Sequence, residues 1–300
     1  LNSDQRGMGH YADELINGLT LIMRSVGATK GVIAIKKGYV HAIESLSAQV
    51  KQACGVELFL LDNFYPAGDE QTLLTEINGK IVPEGGIPLN VNALVSNVLT
   101  VVQVARAAQG QPVISREVTL TGAIAKAQVA NVPIGTSIAA LLEWAIPQIP
   151  ADEMAIIDGG PQMGRLVDLG QTVNKTTSGL VFLPKDHPVI AAKTIPMDSI
   201  IRRSVAACCQ CRYCTDVCPR FLQGHHIEPH LMMRSLAYKT SVPTGAITGA
   251  FLCCQCGLCD YACPMNLSPK RAFAEILGQL RSAGMKNPHH AAPAQTNEFR

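Results

Sequence analysis

Apolar residues recur at helical spacing through the start of the chain. Tyr11, Leu15, Leu19, Ile22, Met23 and Val26 share one helical face, and Gly27 is a stop. Gly31-Val32-Ile33-Ala34-Ile35 then reads as a short buried strand. Helical spacing returns over residues 38–53 (Val40, Ile43, Leu46, Val50) and ends at Gly55, before a second apolar strand over 56–61. Helices alternating with short apolar strands predict a parallel α/β sheet. Residues 62–96 are rich in Gly and Pro and read as loop, and 97–108 is a helix closed by Gly110. Further on, 118–122 and 128–132 suggest a hairpin, 136–145 a helix, 154–157 a strand and 179–183 another. At Asp198 the character changes, and this residue is placed to cap a helix leading into a cysteine-rich stretch. Residues 284–300 are polar and read as a tail or linker.

Composition narrows this picture. A chain of 300 residues with 47% hydrophobic content has enough apolar surface for two or three domains. Its net charge of +2, from 25 basic and 23 acidic residues, gives no field that predicts a nucleic-acid or anionic-membrane partner. No apolar run reaches the ~18 residues that a membrane span requires, and residues 1–20 lack the pattern of a signal peptide. The chain starts at Leu1-Asn2-Ser3-Asp4 without Met, which suggests a piece of a longer protein.

Eleven cysteines are present, ten of them between 208 and 263, with Cys54 alone and read as a small buried hydrophobe. Disulfides would be spread through the fold, so the clustering points to metal binding in a reducing compartment. Cys208, Cys211, Cys214 and Cys218-Pro219 form a C-x2-C-x2-C-x3-C-P run, and Cys253, Cys256, Cys259 and Cys263-Pro264 repeat it 45 residues on. Three thiolates two residues apart wrap one face of a cubane, and the fourth points away to the neighbouring cluster. That rule gives one [4Fe–4S] cluster to Cys208, Cys211, Cys214 and Cys263, and the other to Cys253, Cys256, Cys259 and Cys218. Structural zinc explains paired C-x2-C but not the third cysteine or the Cys-Pro. Cys209 and Cys254 are read as extra thiols beside the clusters.

Other signals are weaker. Gly7-Met8-Gly9-His10-Tyr11-Ala12 matches G-x-G-x-x-A, but no strand pattern precedes it, as a dinucleotide loop requires. His225, His226 and His230 are open to ligation or proton relay, with packing or surface roles as the simpler reading. Tyr65-Pro66-Ala67-Gly68-Asp69-Glu70 is either an ordinary turn or a site whose carboxylates receive ribose hydroxyls or a carboxamide. The residues alone leave both open.

Tyr65-x-x-Gly68-Asp69-Glu70 resembles the Tyr-x-x-Gly-Glu-Glu motif of the NADH-binding flavoprotein subunit of respiratory complex I, and Ser96-Asn97-Val98-Leu99-Thr100 resembles its Asn-Asn-Val-Glu-Thr, with Leu99 replacing the Glu. The RnfC subunit of membrane-bound ferredoxin–NAD oxidoreductases shares that fold. A closer resemblance is to the PduS family of cobalamin reductases from propanediol-utilising microcompartments. It is carried by residues 64–71, 82–88, 158–161, 175–179 and 228–230. The resemblance implies an α/β and α+β multidomain chain. Residues 1–112 would form an FMN/NADH-binding α/β domain, N-terminally incomplete because the family's Gly-rich flavin loop precedes the start of this chain. Residues 113–196 would hold an SLBB-type β-grasp domain and connector, and 197–283 a helical two-[4Fe–4S] ferredoxin-like domain, the family's further C-terminal domain being absent. It also implies Tyr65, Gly68, Asp69, Glu70, Ser96, Asn97 and Thr100 as FMN and NADH contacts. Asp69 and Glu70 would face NADH, and the helix start at Asn97 a flavin phosphate. The implied activity is transfer of electrons from NADH via FMN and two clusters to cob(II)alamin in a cytoplasmic microcompartment, beside an adenosyltransferase and shell proteins. The alternatives are an RnfC-like subunit and a scaffold with purely structural clusters.

Overall fold

The computed structural model describes residues 1–238 and 244–289. It divides into two compact units, Leu1–Phe64 with Ser96–Ala191, and Tyr65–Val95 with Ala192–Arg300. Residues 65–95, grouped by sequence with the first domain, thus belong to the same unit as the cysteine runs.

The first unit opens with α1 (Ser3–His10) and α2 (Ala12–Val26). Gly27, at φ 69°, closes α2 in the left-handed conformation that a glycine takes without strain. β1 (Gly31–Lys36), α3 (Val40–Val50) and β2 (Val56–Leu61) follow. β1 and β2 pair in parallel from Gly31↔Val56 to Lys36↔Leu61. The parallel sheet read from the sequence is therefore this two-stranded pair. Leu15, Ile16, Met23, Ile33, Ile35 and Leu46 form its core with Val101 and Val102.

Between β2 and the next helix of this unit the chain contributes α4 (Glu70–Asn78) to the second unit. Back in the first unit, α5 (Val98–Ala107) starts at Asn97, whose side chain accepts a hydrogen bond from the Leu99 N–H. Gly7 packs beneath α5: a Cβ there would come within 2.4 Å of Leu99 Cδ2. Gly7 lies inside α1 rather than in a loop between a strand and a helix, so the G-x-G-x-x-A match is a packing feature of α1.

β3 (Ser115–Gly122) and β4 (Gln128–Pro133) form the expected antiparallel hairpin. α6 (Ile138–Trp144), β5 (Met154–Asp158), β6 (Arg165–Val167) and β7 (Gly179–Pro184) complete a five-stranded mixed sheet ordered β4-β3-β7-β5-β6. Alternation along the strands decides its faces. Val118, Leu120, Ile156, Leu180 and Phe182 pack with Ile138, Leu141 and Leu142 of α6, whereas Ile157 and Val181 pack on the other face with Ile190 of α7 (Pro188–Thr194).

In the second unit, α8 (Met197–Ala207) leads into the first cysteine run. Its cap is Pro196, and Asp198 lies inside the first turn rather than at the cap. α9 (Tyr213–Asp216), α10 (Pro219–Leu222), α11 (Pro229–Tyr238), α12 (Thr244–Thr248), α13 (Leu258–Ala262) and α14 (Pro269–Ser282) follow. Ile227, Met232, Met233, Leu252, Leu267 and Phe273 form the core between them. Of the tail expected over 284–300, residues 290–300 lie outside the described residues. Among the described residues no helix is long and apolar enough to cross a membrane.

Candidate functional site

The sequence repeat is also a backbone repeat. Gln210 (φ 54°) and Arg212 (φ 68°) in the first run match Gln255 (φ 56°) and Gly257 (φ 83°) in the second. These left-handed residues, all but Gly257 carrying a side chain, bend each run sharply, and a short helix starts at once, α9 after Arg212 and α13 after Gly257.

These bends gather the thiols. Cys208, Cys211, Cys214 and Cys263 line one cavity together with Gln210, His230, Met233 and Met265. Burial pushes the Cys214 thiol up to about 12, with added repulsion from Cys263, Cys208 and Cys211. Burial also pushes Cys253 up to about 12 and holds Cys259 well above the ordinary thiol range. Cys218 acts on Cys253, Cys256 and Cys259 alike. Each run therefore meets the fourth cysteine of the other.

Hydrogen-bond donors already face the sulfurs. Gln210 Nε2 donates to Cys208 Sγ at 3.2 Å, and the Gln255 N–H and Nε2 donate to Cys253 Sγ, both at 3.4 Å. Cys218 is raised by burial, and the backbone N–H groups of Phe221 and Arg220 oppose that rise. The Cys254 thiol donates to Cys256, which raises Cys254 and lowers Cys256. Among the described residues no three His, Cys, Asp or Glu side chains converge closely enough for a single metal ion. Thiols spread around a cavity, with donors aimed at the sulfurs, suit a cluster better than mononuclear zinc.

Of the extra thiols, Cys254 is half-buried beside the second run and Cys209 is exposed. Cys54 is exposed too, not the buried hydrophobe expected, because it sits in the turn between α3 and β2. The histidines make protein contacts. His225 is buried with Nε2 2.9 Å from the Val82 carbonyl, His226 pairs with Glu84, and His230 Nδ1 lies 2.9 Å from Thr215 Oγ1.

Tyr65 donates from Oη to the Cys256 carbonyl at 2.7 Å, and burial together with Cys256, Cys254 and Asp69 raises its hydroxyl to about 12. Asp69 caps α4, accepting from the Thr72 N–H and hydroxyl, both at 3.1 Å. It also holds Arg220 through two bonds of 2.7 and 2.9 Å. Its carboxylate is thus committed within the protein, while Gly68 and Glu70 are exposed. Sequence reasoning missed Arg220, because nothing in the sequence links it to a residue 151 positions away.

Burial alone would raise the Asp69 carboxyl, but the bonds from Arg220 and Thr72 outweigh it and hold the group below the usual carboxylate range. A depressed folded value means that this contribution to stability is present above the ordinary carboxylate range. It is lost as pH falls through the folded value. Asp69→Ala would leave Arg220 buried and unpaired. A loss of about 3 kcal/mol is expected in denaturant unfolding at neutral pH, shrinking in acid.

In the first unit, Ser96, Asn97 and Thr100 are exposed at the start of α5. Asn97 Nδ2 donates to Asp4 at 3.2 Å, so a phosphate there would face the Asp4 carboxylate. These hydroxyl and amide groups suit the polar, uncharged parts of a flavin better than its phosphate.

Comparison with known proteins agrees with both halves of this arrangement. Residues 1–106 match the Nuo51 FMN-binding domain and residues 207–268 the 4Fe-4S dicluster domain. The chain is 37% identical to cobalamin reductase PduS of Citrobacter freundii, over 94% of this chain and 62% of that protein. With cobalamin reductase PduS of Salmonella typhimurium the values are 36%, 98% and 65%. A component of the Na+-translocating ferredoxin:NAD+ oxidoreductase complex of Acetobacterium woodii is 31% identical over 77% of this chain and half of its own length. The chain thus spans less than two thirds of the length of these relatives. An NAD+-reducing [NiFe]-hydrogenase chain superposes with a TM-score of 0.59 at 16% identity, covering all of this chain and 61% of its own, which shows a shared fold.

Proposed function

We propose that this chain, 37% and 36% identical to two cobalamin reductases PduS, belongs with them and acts as an iron–sulfur flavoprotein reductase, taking electrons from NADH and delivering them singly to cob(II)alamin. The observation that carries this reading is similarity to a cobalamin reductase over 98% of the chain, both cysteine runs and the Tyr65–Glu70 stretch included.

When bound, FMN exchanges a two-electron hydride for single electrons and a [4Fe–4S] cluster carries one electron at a time. In this reading Cys208, Cys211, Cys214 and Cys263 hold one cluster, and Cys253, Cys256, Cys259 and Cys218 the other. The amide of Gln210 and the amide and N–H of Gln255 donate to the sulfurs of Cys208 and Cys253 and offset their negative charge. Ser96, Asn97 and Thr100 supply flavin contacts. Tyr65, Gly68 and Glu70 receive the nicotinamide nucleotide, with Glu70 as the free carboxylate for ribose hydroxyls. Asp69 serves the same loop indirectly, by fixing its end to α4 and Arg220. The reading carries with it a microcompartment location, with shell proteins and an adenosyltransferase as partners.

The test uses the full-length protein, purified without oxygen and loaded with iron, sulfide and FMN. Addition of NADH is expected to convert cob(II)alamin to the cob(I) form, seen in the visible spectrum and trapped as the adenosylated product. NADH-reducible clusters without corrinoid reduction, together with recovery of membrane oxidoreductase subunits in a pull-down, would replace this reading by the RnfC-like one. Clusters that NADH leaves oxidised in the flavin-loaded protein would favour a structural scaffold.

A further inference from the structure

The two cysteine runs repeat in spacing but not in surroundings. Cys218-Pro219 is followed by Arg220, whereas the matching position after Cys263-Pro264 is Met265. Arg220 is 6% exposed, the one Lys, Arg, Asp or Glu among the described residues that is buried. Met265 is 43% exposed and lines the cavity of Cys208, Cys211, Cys214 and Cys263. The extra thiols differ in the same sense. Cys254 is half-buried, while its counterpart Cys209 is exposed at the cavity of the first run.

Arg220 is held in one place. Asp69 grips its guanidinium through two bonds of 2.7 and 2.9 Å, and Gln223 Oε1 accepts from Nη1 at 3.4 Å. Arg220 follows Cys218 by two residues in α10, and Tyr65, four residues before Asp69, donates to the Cys256 carbonyl at 2.7 Å, so the clamped pair lies beside ligands of the second run. An arginine keeps its charge at any pH the protein meets.

We propose that Arg220, clamped by Asp69, is a positioning residue that makes the two clusters unequal, raising the reduction potential of the one held by Cys253, Cys256, Cys259 and Cys218 and not that of the other. Reduction adds one negative charge to a cluster, and a fixed buried cation stabilises the added charge far more than an exposed one does. The other cavity is lined by the apolar Met265 and by Arg212, which is exposed and therefore screened by solvent. Electrons would thus rest on the Arg220 side before leaving. The inference rests on the reading of the cysteine runs as two [4Fe–4S] sites and is independent of the final acceptor.

The experiment is an EPR-monitored redox titration of the full-length, reconstituted protein, with iron counted in every sample. The two signals are assigned by the loss of one in Cys211→Ala. Arg220→Gln is expected to shift the signal that Cys211→Ala retains to more negative potential and to leave the other in place. Arg220→Lys, which keeps the charge, should hold the potential near that of the unaltered protein. Asp69→Asn, which leaves the guanidinium uncompensated, should move it to more positive potential. Opposite signs for Arg220→Gln and Asp69→Asn are an outcome that general loosening of the fold does not produce. Equal shifts in both clusters, shifts of one sign in both variants, or no shift at all would overturn the proposal. An iron content well below about eight per chain in the unaltered protein would instead sink the two-cluster reading itself.

Discussion

Cys218→Ala is expected to remove the cluster whose other ligands lie 35 to 41 residues further along the chain, and to spare the one beside it. Cys218 is the N-cap of α10, at the exit from the loop of its own run. It shares its surroundings with Cys253, Cys256 and Cys259, while Cys263 takes its place beside Cys214. Loss of one thiolate of four leaves a buried cluster without a ligand, so roughly half the iron and one of two EPR signals should disappear. Double variants read the pairing directly. Cys218→Ala with Cys256→Ala strikes one cluster twice and should retain the other. Cys218→Ala with Cys211→Ala strikes both and should retain neither. If the first combination abolished both signals and the second kept one, each run would hold its own cluster and the exchange would be wrong.

How much of this was legible in the sequence depended on the range of the forces involved. β1, β2, α2 and α5 are specified by local periodicity, because each buries one face and announces it with apolar residues at the right interval. The cysteine runs were legible because metal ligation imposes a fixed spacing. α1 was not, since its buried positions are Ser3, Gly7 and Met8, whose packing is decided by residues such as Leu99 that come much later. α4 carries its own signals, Asp69 at its start and left-handed Gly79 at its end, but they were lost among the surrounding prolines and glycines. β6 spans only three residues, too few to show an alternation. The Asp69–Arg220 pair is the strongest case. Asp69 reads in the sequence as an acid beside a glycine, available to a ligand, but its partner lies in a segment whose only visible pattern is cysteine spacing. Tertiary pairing of two charges leaves no periodic trace for either residue.

Gly18→Ala should cost stability where a helix alanine normally adds it. In an open helix the change from Gly to Ala contributes about 1 kcal/mol, through propensity and a less free unfolded chain. Gly18 lies on the buried face of α2, where that helix crosses α5. A Cβ there would stand 2.1 Å from the Val101 carbonyl oxygen and 2.9 Å from its carbon. The obstacle is backbone within a helix, which cannot swing aside as a side chain can, so the two helices must separate. Overpacking of this kind costs about 3 kcal/mol and outweighs the propensity gain. The expected net loss is about 2 kcal/mol, a fall in melting temperature of roughly 5 °C. Gly278→Ala is the control: it lies in α14 with nothing within 4 Å of the added carbon, and should stabilise by up to about 1 kcal/mol. The displaced helix carries Asn97 at its start and Thr100 in its first turn, so the Gly18 variant should also retain less FMN while its iron content stays unchanged. A Gly18→Ala protein that melted higher and bound FMN fully would show that α2 and α5 have room to spare, and that the flavin contacts do not depend on their close approach.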